Sequence, residues 1–212
     1  MSRETGPRCK KCRRMGEKLF LKGDKCVSDK CVLPRRMESE GTRGGGGRRR
    51  GRARKLSAYS IQLMEKQKIK AIYGVAETQF HNYFRRAAKK PNTGDALLSL
   101  LESRLDNVIY RLGFANSRPE ARLLVRHGHI TINGRRTDLP SYIVRPGQSV
   151  GVRDEKGLKV VKSTLTNKEP TTVPWLSLDK DNAKGTVVRL PGSEDTKEMI
   201  ANVQLVVELY SK

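Results

Sequence analysis

At 212 residues the chain has room for one large domain or two small ones, and 36% hydrophobic residues suffice for a core beneath a large polar surface. Its 44 basic and 22 acidic residues give a net charge of +22 and a pI near 10.3, which points to a polyanionic partner rather than to charge kept for solubility. No apolar run approaches the ~20 residues of a membrane span, and no secretory apolar region opens the chain, so a soluble, intracellular protein without a membrane partner is expected.

Residues 1–40 hold all four cysteines, spaced Cys9-x2-Cys12-x13-Cys26-x4-Cys31. Two close thiol pairs separated by about a dozen residues suit one tetrahedral, structural Zn2+, and a four-cysteine set leaves no open position for catalysis. Lys10, Lys11, Arg13, Arg14, Lys25 and Lys30 would lower the thiol pKa values and offset the charge of a four-thiolate site. An iron–sulfur cluster accepts the same ligands, and two disulfides or free thiols are the other readings.

Residues 41–55, GTRGGGGRRRGRARK, contain no apolar residue except Ala53 and read as a basic linker able to order on a nucleic acid. Arg48, Arg49, Arg50, Arg52, Arg54 and Lys55 are its candidate contacts. Gly44–Gly47 lacks the lysine-hydroxyl pair of a nucleotide-binding loop. Residues 56–95 carry Ile61, Met64, Ile69, Ile72, Val75, Phe80 and Phe84 at helical spacing, with Gly74 breaking the run in two. Arg85 and Arg86 lie on its outer face, and Tyr73 is a candidate for stacking on an unpaired base. Pro91–Gly94 marks the next boundary.

One continuous helix is expected over Leu97–Leu112, with Arg104, Asn107 and Arg111 on one face. A second opens at Ser117-Arg118-Pro119-Glu120, where serine caps, proline fits the first turn and Glu120 returns a bond. It should present Arg118, Arg122 and Arg126 outward and stop at Gly128. His127 and His129 would either contact phosphate or ribose or stabilise the helix end. Asn133-Gly134 then turns a hairpin carrying Arg135 and Arg136. Strands are expected at Tyr142–Val144, Gln148–Val152, Leu158–Val161 and Thr186–Leu190. Trp175 reads as a packing anchor, and Val203, Val206, Val207 and Tyr210 as a short closing helix.

The run LESRLDNVIYRLGFANSRPEARLLVRHGHITINGRRTDLPSYIVRPG resembles the S-four-type RNA-binding domain. TGPRCKKCRRMGEKLFLKG, EKQKIKAIYGVAETQF, PWLSL and VVELYSK, in the same order, are similar to the S-four family of small-subunit ribosomal proteins. The resemblance implies an α+β protein. In it, a helical domain (56–95, completed by 195–212) carries a basic N-terminal zinc-binding extension and an inserted RNA-binding domain (96–194) of helices and a small, mainly antiparallel sheet. It also implies a non-enzymatic constituent of the small ribosomal subunit in the cytoplasm of a bacterium or a plastid. Such a protein binds a 5′-domain junction of 16S rRNA early in assembly of the 30S body. It meets a neighbouring small-subunit protein at an interface that affects accuracy and lies near the path by which mRNA enters. The arginines above, with Asn107, Ser117 and the two histidines, are the RNA contacts it implies. The same domain also occurs fused to RNA-modifying enzymes. Those need a separate catalytic domain, for which the roughly 95 preceding residues leave little space. A zinc-dependent DNA-binding regulator is the second rival.

Overall fold

The computed structural model describes residues 6–34, 57–167, 173–196 and 201–211. The linker contacts Arg48, Arg49, Arg50, Arg52, Arg54 and Lys55 lie outside them. Helices α1 (Arg8–Met15) and α2 (Asp24–Val27) carry the cysteine segment. Helix α3 (Ala58–Tyr73) starts at Ser57, whose hydroxyl accepts from the Ser60 amide, and ends at Gly74. Helix α4 (Glu77–Ala87) follows, and Asn92 caps α5 (Thr93–Glu102) by accepting from the Asp95 amide. Ile69, Ile72, Tyr73, Phe80, Phe84, Leu97 and Leu101 form the first core, joined by Leu19 and Leu21 from the N-terminal segment. Val206, from the C-terminal helix, belongs to the same core.

The helix expected over Leu97–Leu112 is two helices. Helix α5 stops at Glu102 and α6 covers Leu105–Arg111, with Arg104 extended between them (φ −68°, ψ 139°). The segment around Ile143 docks in the gap and makes a bridge with Arg104. There the Leu105 amide donates to the Tyr142 carbonyl and the Val144 amide to the Ser103 carbonyl. These bonds replace those of an unbroken helix. The expected strand at Tyr142–Val144 is accordingly reduced to this bridge.

Helix α7 (Arg118–Arg126) has Ser117 as N-cap, accepting from the Glu120 amide, and Pro119 in its first turn. The Glu120 carboxylate returns one residue earlier than a capping box requires, accepting from the Asn116 amide at 2.8 Å. The chain leaves α7 through Gly128 (φ 78°) into an antiparallel sheet of order β2-β1-β3-β5-β4. Its strands are β1 (Ile130–Ile132), β2 (Arg135–Arg136), β3 (Ser149–Val152), β4 (Leu176–Asp179) and β5 (Lys184–Val187). Asn133 (φ 49°) and Gly134 (φ 79°) both take the left-handed conformation that a tight hairpin needs. The Asn133 side chain also accepts from the Ser149 amide at 2.8 Å, which ties this turn to β3.

Leu158–Val161, expected as a strand, lies within helix α8 (Glu155–Asn167). Its apolar residues suit a helix equally well: Val161 and Thr164 are buried and Leu158 and Leu165 pack on the second core. Strand β4 was not anticipated, and Thr186–Leu190 contributes only its first two residues to β5. The second core gathers Leu105, Val108, Ile109, Leu112, Leu124, Val125, Ile130, Val150, Trp175 and Val187. Close packing explains Gly185, since a Cβ there would collide with the Leu112 side chain. Helix α9 (Val203–Ser211) closes the described chain.

Candidate nucleic-acid interface

Arg104, Asn107, Arg111, Arg118 and Arg122, expected to face outward, turn inward around two buried acids, Glu102 and Asp106. Glu102, only 1% exposed, accepts from the Tyr73 hydroxyl, from Asn107 Nδ2 at 2.7 Å, and from Arg111 Nε and an Arg111 terminal nitrogen, each at 2.9 Å. Arg118 donates through Nε to Asn107 Oδ1 at 2.7 Å. Its guanidinium lies 4.5 Å from the Tyr110 ring centre and 5.1 Å from that of Tyr73. Arg104 is wholly buried, bidentate to Asp106 at 3.0 and 2.6 Å, and donates to the Tyr83 hydroxyl at 2.9 Å. Arg122 reaches the same Asp106 carboxylate at 3.5 Å.

This geometry corrects the outward placement of Arg104, Asn107, Arg111, Arg118 and Arg122. A partner could not touch Arg104 or Asn107 without opening the core. Arg111, Arg118 and Arg122 each spend part of their donor capacity on Glu102, Asn107 or Asp106. Tyr73 is likewise buried and bonded, so it offers no stacking face, and Ser117 is a buried cap. Burial drives the Glu102 carboxyl upward, but Arg111, with Arg118 and the Tyr73 hydroxyl, outweighs it and leaves the group below its ordinary range. Burial and the Glu102 charge together hold the Tyr73 hydroxyl well above its ordinary value.

Other candidates remain on the surface. Arg85 and Arg86 are exposed in the last turn of α4, followed by exposed Lys89 and Lys90. Around the hairpin, Arg126, His127, Arg135 and Arg136 are exposed. The Arg136 guanidinium lies over the Gly128 backbone. Arg145 and Arg153, exposed on the chain entering and leaving β3, were not singled out in the sequence. Their positions, just before the Pro146-Gly147 turn and just after a strand, were the available signal. His129 is held by Asp154: Nδ1 stands 2.9 and 3.0 Å from its two carboxylate oxygens. At the other end of the network, Arg8 and Lys11 of α1 line a small cleft with Asp106, Arg118 and Arg122.

The cysteine segment places Cys9 and Cys12 one turn apart on α1, Cys26 in α2 and Cys31 just beyond it. Burial raises the Cys12 thiol, against the lowering expected from the neighbouring cations; a hydrogen bond from the Leu19 backbone opposes the rise and the charges of Cys26, Cys9 and Cys31 add to it. Their chemistry fits a tetrahedral four-thiolate site. No group of three or more metal-ligating side chains converges on one point among the described residues.

A two-core α+β protein whose exposed cations cluster around a hairpin and a helix end belongs to the class of nucleic-acid-binding proteins. Comparison with known families is specific. The model described as Ribosomal protein S4/S9 N-terminal domain matches residues 3–102, and the S4 domain model matches residues 103–150. The chain is 51% identical to small ribosomal subunit protein uS4 of Thermus thermophilus, 50% to that of Desulfitobacterium hafniense and 45% to that of Thermotoga maritima. Each comparison covers 100% of both sequences. The chain belongs to the uS4 family of small ribosomal subunit proteins.

Proposed function

We propose that the protein is a structural, non-catalytic constituent of the bacterial small ribosomal subunit, working in the cytoplasm as part of the ribosome. Its similarity over 100% of the chain to small ribosomal subunit proteins carries this reading. Its target is a multi-helix junction in the 5′ domain of 16S rRNA, bound early so that the 30S body can assemble. The exposed cations of α4 and the hairpin neutralise phosphates, while the two packed cores fix their spacing. A neighbouring small-subunit protein adjoins it at an interface that tunes accuracy, and mRNA passes nearby. Reconstitution tests this directly: leaving the protein out of a mixture of 16S rRNA and the other small-subunit proteins should stall a compact 30S particle. Unimpaired particle formation would contradict the proposal.

Cys9, Cys12, Cys26 and Cys31 are proposed to hold one structural zinc ion. Supporting this is the complete four-thiol set at the spacing Cys9-x2-Cys12-x13-Cys26-x4-Cys31. Among the described residues the N-terminal segment contributes Leu19 and Leu21 to the fully buried part of the first core, so a bound metal would supply folding energy to a piece too small for its own core. Metal analysis of the purified protein should find one zinc per chain, lost with ordering of residues 9–31 when Cys9 and Cys12 become serine. Iron with sulfide would indicate a cluster, and absence of any metal would refute the site.

A further inference from the structure

His129 sits where β1 begins, and its ring is fixed from behind. Asp154, the residue before α8, accepts from the Gly157 amide at 3.2 Å and takes His129 Nδ1 on the same carboxylate. Gly157 is needed for this approach, since a Cβ there would stand 2.8 Å from Asp154 Oδ1 and 3.0 Å from the His129 Cβ. A carboxylate only accepts, so the hydrogen shared between Asp154 and His129 is carried on Nδ1. In the neutral ring Nε2 is then a bare acceptor. It has no hydrogen bond among the described residues, and it is not one of the buried polar atoms without a partner, so it reaches solvent. The side chain keeps 22% of its surface exposed, beside exposed His127 at 6.1 Å between ring centres.

We propose that His129 is a ribose-reading residue: its Nε2 accepts a hydrogen bond from a ribose 2′-hydroxyl. This rests on the rRNA-binding reading and deepens it. A phosphate oxygen offers no hydrogen and cannot use a bare acceptor, whereas the 2′-hydroxyl can and is absent from DNA. Asp154 thereby turns an ambivalent ring into a group that separates RNA from DNA.

His129→Asn is the informative variant. Its amide nitrogen can still donate to Asp154, keeping the start of α8 anchored, while the Nε2 position is removed. A 16S 5′-domain junction RNA carrying random single 2′-deoxy substitutions is selected by wild-type and variant protein. One or two positions should weaken wild-type binding about 3- to 10-fold when deoxygenated. They should have no effect on the variant, whose affinity for unmodified RNA is lower by the same factor. Identical interference patterns for the two proteins would overturn the proposal. So would interference from phosphate ethylation, rather than 2′-deoxy substitution, that vanishes in the variant. A wild-type protein that does not prefer this RNA over a size-matched structured competitor would instead sink the underlying ribosomal reading, and the His129 assignment with it.

Discussion

Glu102 accepts four hydrogen bonds from three side chains while lying out of water, and that makes it the most consequential acid in the described chain. Removing one member of a buried ion pair strands the other, at a cost of about 3–5 kcal/mol. Glu102→Gln should therefore lower unfolding stability by about 3 kcal/mol in a denaturant titration. The pH dependence follows from the depressed carboxyl. Its stabilisation is complete above the ordinary glutamate value of 4.5 and fades as pH falls through the lower folded value. Wild-type stability should fall more steeply than that of Glu102→Gln on acidification below about pH 4.5. Arg118→Glu with Arg122→Glu, which an outward placement would leave folded, should instead loosen the fold, because it sets new acids against Glu102 and Asp106. Circular dichroism melts of the double variant would read this. The spacing of the arginines was legible in the sequence, but their direction was not. The available clue was the pair of acids, Glu102 and Asp106, set four apart amid the same arginines.

At the scale of elements, most of what local chemistry specifies was readable. Ser117 caps a helix, Gly74 ends one, and Asn133-Gly134 turns the hairpin, because each acts within a few residues of itself. Failures occurred where partners are distant in sequence. The break at Ser103-Arg104 depends on Tyr142–Val144, about 40 residues away. Leu158–Val161 satisfies both a strand and a helix pattern until the sheet's other strands are known. Two element-scale tests follow. Ser117→Ala should cost about 1 kcal/mol by removing the α7 cap, measured by thermal or chemical unfolding. Arg135→Glu with Arg136→Glu, both exposed on a two-residue strand, should leave the melt nearly unchanged. The same pair should weaken RNA binding and flatten its dependence on salt by about two counterions.

Across the whole molecule, the buried network lies on the seam between the two family matches. Glu102 ends the first match, and its partners Asn107, Arg111 and Arg118 belong to the second, while Tyr73 reaches it from the first. The Arg104–Tyr83 bond crosses the same seam. Arg104, Arg111 and Arg118, three of the arginines that the sequence suggested for RNA, thus hold the S4 domain against the helical part. Under the proposed function, they keep the exposed cations of α4 and the hairpin at a fixed separation. The net charge of +22 supplies attraction to any polyanion, so selectivity must come from that fixed arrangement.

Binding of the purified protein to a 16S 5′-domain junction RNA, across a salt series and against a size-matched structured competitor, tests this most directly. The account predicts a preference for the junction RNA that persists at moderate salt, when counterion release alone has lost most of its strength. Equal affinity for both RNAs, collapsing together as salt rises, would mean that charge alone binds them and would contradict it.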